Sequence, residues 1–363
     1  MEKILDNLKK IKEIDKSDMA GLIKSFPSFS ESACQIKEIP KFDYCSGKAC
    51  PEGTPWGFAL FDNIFFSGLG GSALSGELIS NLLSSSLSIP IFVNRDYSIP
   101  SFVNKKTLSI LLSYSGNTEE TLNVYKLCQK REAKIVCVSS GGKLSRLAKD
   151  DGVPLFTVPG GFPPRTALPF LLFPVLLLIS RLFSVDLGKE IEETSNTLKE
   201  VSQNNSLEIP FSDNRAKGIA GALFQKIPSI YGDNHISGAV YRWRTQIAEN
   251  AKSFSSHHLF PEMNHNEIEA LESPKEILSS FYLIFLRHSY EFQKTSKRIE
   301  ITQDLLKEKV SGIIEIKGEG KGKLSQILSL VLIGDWVSFY LSILNRIDPT
   351  PVNKITLLKK RLQ

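Results

Sequence analysis

Cysteine is scarce in this chain, and what there is does not pair. The 363 residues hold Cys34, Cys45, Cys50, Cys128 and Cys137, an odd number with no CxxC spacing. This excludes a disulfide framework and a cysteine-built zinc site, and points to reduced thiols in a reducing compartment. Histidine is as sparse, with five residues, and no HExxH pattern occurs. His257, His258 and His265 with Glu262 and Glu267 lack metal-ligand spacing, so no metal is expected. Charge of one sign is not in surplus either: Lys and Arg number 44 against 39 Asp and Glu. The excess is spread thinly, with a slight cluster at Lys354, Lys359, Lys360 and Arg361. Nucleic-acid partners are therefore not expected, while small anionic substrates are. No long apolar run is unbroken. Ala167 to Phe183, ALPFLLFPVLLLISRLF, is interrupted by Pro169 and Pro174 and carries Arg181. A membrane span needs roughly 20 apolar residues, so this segment reads as a buried helix of a core or subunit interface. The N-terminus is charged and amphipathic without an apolar centre, unlike a signal peptide, and a cytoplasmic protein is expected.

What is present has a globular balance, 42% hydrophobic and 23% charged. The length suits two domains of about 150 residues each. Residues 1–30 read as helical, and the Gly- and Pro-rich stretch 43–57 reads as a loop. An alternation of strands and helices then begins. Strands are expected at Asn63 to Phe66, Ile89 to Val93, Leu108 to Leu112, Lys134 to Val138 and Leu155 to Val158. Helices are expected at Ala73 to Leu83, Glu119 to Arg131, Leu144 to Lys149 and Thr166 to Leu182. A polar helix and linker occupy Lys189 to Asn214, after which the alternation resumes to about Asn345. Short strands apolar on both faces, alternating with helices, indicate open, doubly wound parallel sheets of the α/β class, two of them in tandem. The expected divisions are an N-terminal helical segment at 1–42, a first domain at 43–200 and a second at 201–363.

Two loops carry a signature of anion binding. Gly68-Leu69-Gly70-Gly71-Ser72-Ala73 follows the first strand and opens a helix, so bare amides and the positive helix end face one pocket. Gly71 supplies an amide and Ser72 a hydroxyl. The same loop also fits a dinucleotide fingerprint, with Asp96 where a ribose-binding acid would lie. The second loop, Ser113-Tyr114-Ser115-Gly116-Asn117-Thr118, adds three hydroxyls at the start of another helix. Ser113, Ser115 and Thr118 suit a phosphate at the carboxyl edge of a sheet, and a dinucleotide fold needs no such loop. Ordinary helix capping by Thr118 is the alternative.

With these loops on view, SYSGNTEET resembles the signature of the sugar-isomerase (SIS) domain. The chain from about Asp18 onward resembles the bifunctional phosphoglucose/phosphomannose isomerase family, built from two such domains of flavodoxin-like form. The matching stretches, in order, are GLGGSALSGE, SYSGNTEETL, PGGFPPRTALPFLLFPVL, the pair RTQIAENAK and PEMNHNE, and DPTPVNKITLLKKRL. One departure is Glu77, where the family more often has Asp. The resemblance implies an aldose–ketose isomerase acting on hexose 6-phosphates without a cofactor, as a homodimer. It assigns Glu249 as the proton-shuttling base and His265 to ring opening, in its own or the neighbouring subunit's site. It also implies Arg165 facing the enediolate or phosphate, and Lys359 near the ring oxygen. Read alone, Glu249 is a helix-face glutamate whose small neighbours allow partial burial, and Lys359 belongs to a charged tail. The asparagines and glutamates around His265 are placed to hold its ring. Arg165 starts a helix, where the dipole disfavours a cation, a conflict that fits a functional role. The competing readings are a non-catalytic sugar-phosphate sensor, needing only the loops, and a nicotinamide-dependent dehydrogenase.

Overall fold

The computed structural model describes residues 1–36 and 60–362; the loop expected at 43–57, with Cys45 and Cys50, lies outside the described residues. Four short helices come first: α1 (Glu2–Leu5), α2 (Leu8–Ile14), α3 (Met19–Lys24) and α4 (Phe26–Cys34). Then follow β1 (Asn63–Ser67), α5 (Gly71–Leu83), β2 (Ile91–Asn94), β3 (Thr107–Leu112) and α6 (Glu119–Lys130). Next are β4 (Lys134–Ser139), α7 (Gly142–Asp150), β5 (Leu155–Thr157), α8 (Leu168–Phe183) and α9 (Gly188–Asn204). The remainder runs α10 (Arg215–Leu223), β6 (Ile227–Asp233), α11 (Ser237–Asn250), β7 (Ser256–Phe260), α12 (Glu267–Ala270) and α13 (Lys275–Leu278). It closes with β8 (Phe281–Arg287), α14 (Gln293–Leu306), β9 (Gly312–Lys317), α15 (Lys323–Leu344) and α16 (Asn353–Leu362). Two compact units result, Ser28–Glu192 and the combination of Met1–Pro27 with Glu193–Gln363.

The unit spanning Ser28–Glu192 holds a five-stranded parallel sheet in the order β2-β1-β3-β4-β5. Strand side chains alternate faces, and here both faces are buried. Phe65, Leu111 and Cys137 pack with Val124 and Tyr125 of α6 and Leu144 of α7. Phe66, on the opposite face, lies against α5 so closely that a Cβ on Gly76 would come within 2.8 Å of its ring. The sheet is thus doubly wound, as the apolar strands implied. Burial pushes the Cys128 thiol up to about 11. Cys34, Cys128 and Cys137 are free thiols.

The other unit repeats the plan with four parallel strands in the order β7-β6-β8-β9. Tyr231, Leu283 and Phe285 face Ile299 and Leu306 of α14, while Gly232, on the opposite face, approaches Val240 of α11 to 2.6 Å from an ideal Cβ. Helix α15 is long and apolar enough to cross a bilayer by length and composition, yet its whole apolar stretch is buried inside the protein. Such all-round hydrophobicity belongs to a core helix. The sequence reading missed β7, α10, α16 and the four-residue helices α12 and α13. Strand β7, Ser-His-His-Leu-Phe, is an edge strand and only half-buried, so it lacks the apolar run that marks its neighbours.

Candidate active site

In the order β2-β1-β3-β4-β5, the chain reverses its winding direction between β1 and β3. Open α/β sheets bind ligands at that point, beyond the carboxyl ends of the strands. The loops expected to hold phosphate are the ones that leave β1 and β3. Their backbones are in contact: a Cβ on Gly68 would meet the Leu112 carbonyl oxygen at 2.8 Å. Gly70, at φ +54°, turns the chain into α5, whose first residue is Gly71. No side chain caps α5; the Ser72 amide donates to the Leu69 carbonyl at 3.1 Å, which leaves the Gly71 and Ala73 amides for an anion. Ser72 is buried at this end.

The second loop resolves the question of capping. Thr118 occupies the N-cap position of α6, but its side chain makes no capping bond. Its hydroxyl instead accepts from Ser113 Oγ at 2.8 Å, so the Thr118 hydroxyl hydrogen is not spent on Ser113. Ser113 is buried. Ser115 is exposed, and its Oγ accepts from the Asn117 amide at 3.3 Å.

A third loop, absent from the sequence reading, supports the second. Gly116 (φ +66°) and Gly142 (φ +71°) are in the left-handed region, and a Cβ on Gly116 would fall 1.8 Å from the Gly141 carbonyl oxygen. Only glycine permits this approach. The Lys143 amide donates to Asn117 Oδ1 at 3.1 Å, and α7 also starts without a side-chain cap. Ser139-Ser140-Gly141-Gly142 has the same glycine-and-hydroxyl composition as the other two loops, a signal that could have found it.

Tyr114 then ties the second loop to the approach of α8. Its phenol donates to the Pro159 carbonyl at 3.0 Å and accepts from the Phe162 amide at 3.0 Å. Burial raises its pKa, which keeps the donor protonated. The same approach brings Arg165 to the first loop. A Cβ on Gly71 would lie 3.4 Å from the Pro164 carbonyl oxygen and 3.9 Å from Arg165 Cα. Arg165 is buried, only 4% exposed. These contacts bring Gly71 and Ser72, Ser113 and Thr118, and Arg165 to the same carboxyl edge of the sheet, with Ser115 exposed beside them. Asp96, the acid of the dinucleotide reading, is exposed, and the strand order differs from that of the classic dinucleotide fold.

The other unit carries Glu249, His265 and Lys359. Glu249 is the penultimate residue of α11 and partly buried. Helix α11 is held against α15 by Arg242, whose Nε and Nη2 donate to Asp335 at 2.9 and 2.8 Å. Trp243 Nε1 donates to the Leu330 carbonyl and Asn250 Nδ2 to Ser338 Oγ. His265 ends a single 3₁₀ turn, Glu262–His265, and is exposed. Its neighbours do not hold its ring as expected. Asn264 Nδ2 donates to Thr302 Oγ1 and Asn266 Nδ2 to Glu262 Oε1, while Glu267 pairs with His258. None of these bonds reaches the His265 ring. Lys359 lies on α16, none of whose residues is buried.

Fold and crevice together define a protein of two SIS domains. The SIS domain model matches residues 61–157, and the bacterial phospho-glucose isomerase C-terminal SIS domain model matches residues 212–362. The chain is 41% identical to the bifunctional phosphoglucose/phosphomannose isomerase of Caldicellulosiruptor bescii over 83% of its length and 89% of that protein's. It is 34% identical to the protein of the same name from Thermoplasma acidophilum, covering 92% of this chain and 97% of the relative. In fold it is similar to the C-terminal domain of glucosamine-fructose-6-phosphate aminotransferase from Francisella tularensis. That likeness has a TM-score of 0.67 at 13% identity, covering 92% of this chain and 98% of the other. The chain belongs to the bifunctional phosphoglucose/phosphomannose isomerase family.

Proposed function

We infer that the protein is an aldose–ketose isomerase that interconverts glucose 6-phosphate and mannose 6-phosphate with fructose 6-phosphate through a cis-enediolate. The observation that carries this reading is the crevice of uncapped helix starts, paired hydroxyls and a buried arginine, in a chain of this family. A phosphate monoester fits it: amides of α5 and α6, and hydroxyls of Ser72, Ser115 and Thr118, supply neutral donors, Ser113 supports Thr118 by donating to its hydroxyl, and Arg165 supplies charge. A non-catalytic sensor would need only these loops. The chain also keeps Glu249, His265 and Lys359 in the stretches that resemble the family's.

Glu249 removes the proton from C2 and returns it to C1. Proton removal makes C2 planar, so the glucose and mannose series meet in one enediolate. Arg165 stabilises its negative charge. His265 and Lys359 serve ring opening, in which a proton leaves the O1 hydroxyl and a proton is delivered to the ring oxygen O5 as the C1–O5 bond breaks. The exposure of His265 on its own chain agrees with a homodimer in which it reaches the neighbouring site. No cofactor enters the reaction, and a cytoplasmic setting fits the substrates. Purified protein is assayed with glucose 6-phosphate and with mannose 6-phosphate, coupled to fructose 6-phosphate detection, with EDTA present. Turnover of both sugars supports the reading; turnover of neither refutes it.

A further inference from the structure

The C-terminal end of α11 is built against local preference. The residue that leaves a helix in the left-handed conformation is usually glycine, because a Cβ there crowds the following carbonyl oxygen. Here it is Lys252, at φ +55°. Its side chain folds back, and Nζ donates to the carbonyl of Glu249 and to the carbonyl of Pro349, the latter at 2.9 Å. Pro349 lies in the link between α15 and α16. Asn345, just past α15, makes a parallel tie: its Nδ2 donates to the Ala251 carbonyl and to Ser253 Oγ, both at 3.0 Å. The last turn of α11, which carries Glu249, is therefore clasped to the segment that leads into α16, which carries Lys359. An ammonium at this position also offsets the negative end of the helix dipole beside a carboxylate.

We propose that Lys252 is a positioning residue, holding the backbone of Glu249 and the start of α16 in one fixed arrangement. The proposal rests on the reading of Glu249 as the base. A merely structural clasp and a positioning clasp differ in what they move. Lys252→Met removes the ammonium and keeps the stem. Lys252→Gly removes the ammonium and relieves the backbone. Lys252→Arg keeps a cation with donors. Displacement of a base by about an ångström costs up to about 100-fold in rate. Lys252→Met and Lys252→Gly should each lower kcat about 10- to 100-fold. KM should stay within about twofold, because the phosphate donors lie elsewhere. Lys252→Gly should do so while melting no lower than wild type, and Lys252→Arg should recover part of kcat. Full kcat in the glycine variant overturns the proposal. So does a loss in the methionine variant that appears in KM alone. Glu249→Gln is measured alongside. If it keeps more than about a tenth of turnover, the base assignment itself fails. If it is inactive while the Lys252 variants keep full kcat, only the positioning role fails.

Discussion

At the scale of single residues, the proposed function assigns binding to the loop hydroxyls and proton transfer to a carboxylate. Glu249→Gln should lower kcat about 10²- to 10⁴-fold, the usual contribution of a general base, with hexose 6-phosphate affinity kept. Steady-state kinetics and a phosphate-competition titration check both halves. Ser115→Ala and Thr118→Ala should instead raise KM, each removing about 1–3 kcal/mol of hydrogen bonding to a charged group. Inorganic phosphate should compete less well against either variant. Unchanged KM in both would remove the phosphate assignment. These candidates rest on residue type and family likeness, since glycine and hydroxyl runs at helix starts are visible locally. The partners of His265 were not legible. Adjacency in sequence suggested Asn264 and Asn266, but a 3₁₀ turn points them to Thr302 and Glu262.

Among the elements, the pairing of α11 with α15 sets the geometry of Glu249. Arg242 and Asp335 are both nearly fully buried, at 2% and 4% side-chain exposure. Removing one partner strands the other's charge, at about 3–5 kcal/mol, whereas replacing both with apolar groups is often neutral. Arg242→Met alone should therefore destabilise by about that amount, and Arg242→Met with Asp335→Leu should recover most of it. Urea unfolding of the two single variants and the double variant closes the cycle. Both helices are legible in the sequence, α11 from its pattern of apolar residues and α15 from the length of its apolar run. Their facing polar pair does not, because a buried arginine and a solvated one look alike in a one-dimensional pattern. Gly334 is a related case: a Cβ there would lie 2.5 Å from Trp243 Nε1, so its role exists only once the helices meet.

For the whole molecule, acid should loosen the unit that contains β6 to β9. Glu208 is held down to about 2 by hydrogen bonds from its own backbone amide, Ser206 and Lys24. Asp6, Glu193 and Asp304 are also lowered on balance. For Asp6 and Glu193 desolvation opposes the shift; hydrogen bonds to Lys217 and to the Lys321 and Gly322 amides outweigh it. Asp304 is lowered by Lys307. Asp15 is raised by burial, in the opposite sense. A lowered folded-state pKa means the unfolded chain binds more protons. The stability is then present above the unfolded values of about 4 and lost as pH falls toward 2. Urea midpoints measured between pH 6 and pH 3 should decline mainly below about pH 4.5. If His265 serves the neighbouring subunit, mixing inactive Glu249→Gln and His265→Ala chains should restore activity through hybrid dimers. Persistent inactivity of a mixture shown to exchange subunits would place His265 in its own site. What the sequence determined by itself was the α/β class, the parallel strands and the glycine and hydroxyl make-up of the two loops. Each of these is written in short windows of periodicity, glycine and hydroxyl content. What the tertiary structure alone decided was company. Parallel pairing of β1 with β3 sets Gly68 against Leu112, and Tyr114 reaches Pro159 across 45 residues. Lys252 reaches Pro349 across 97. Contacts at such separations depend on how strands register and helices pack, which no local pattern of residues encodes.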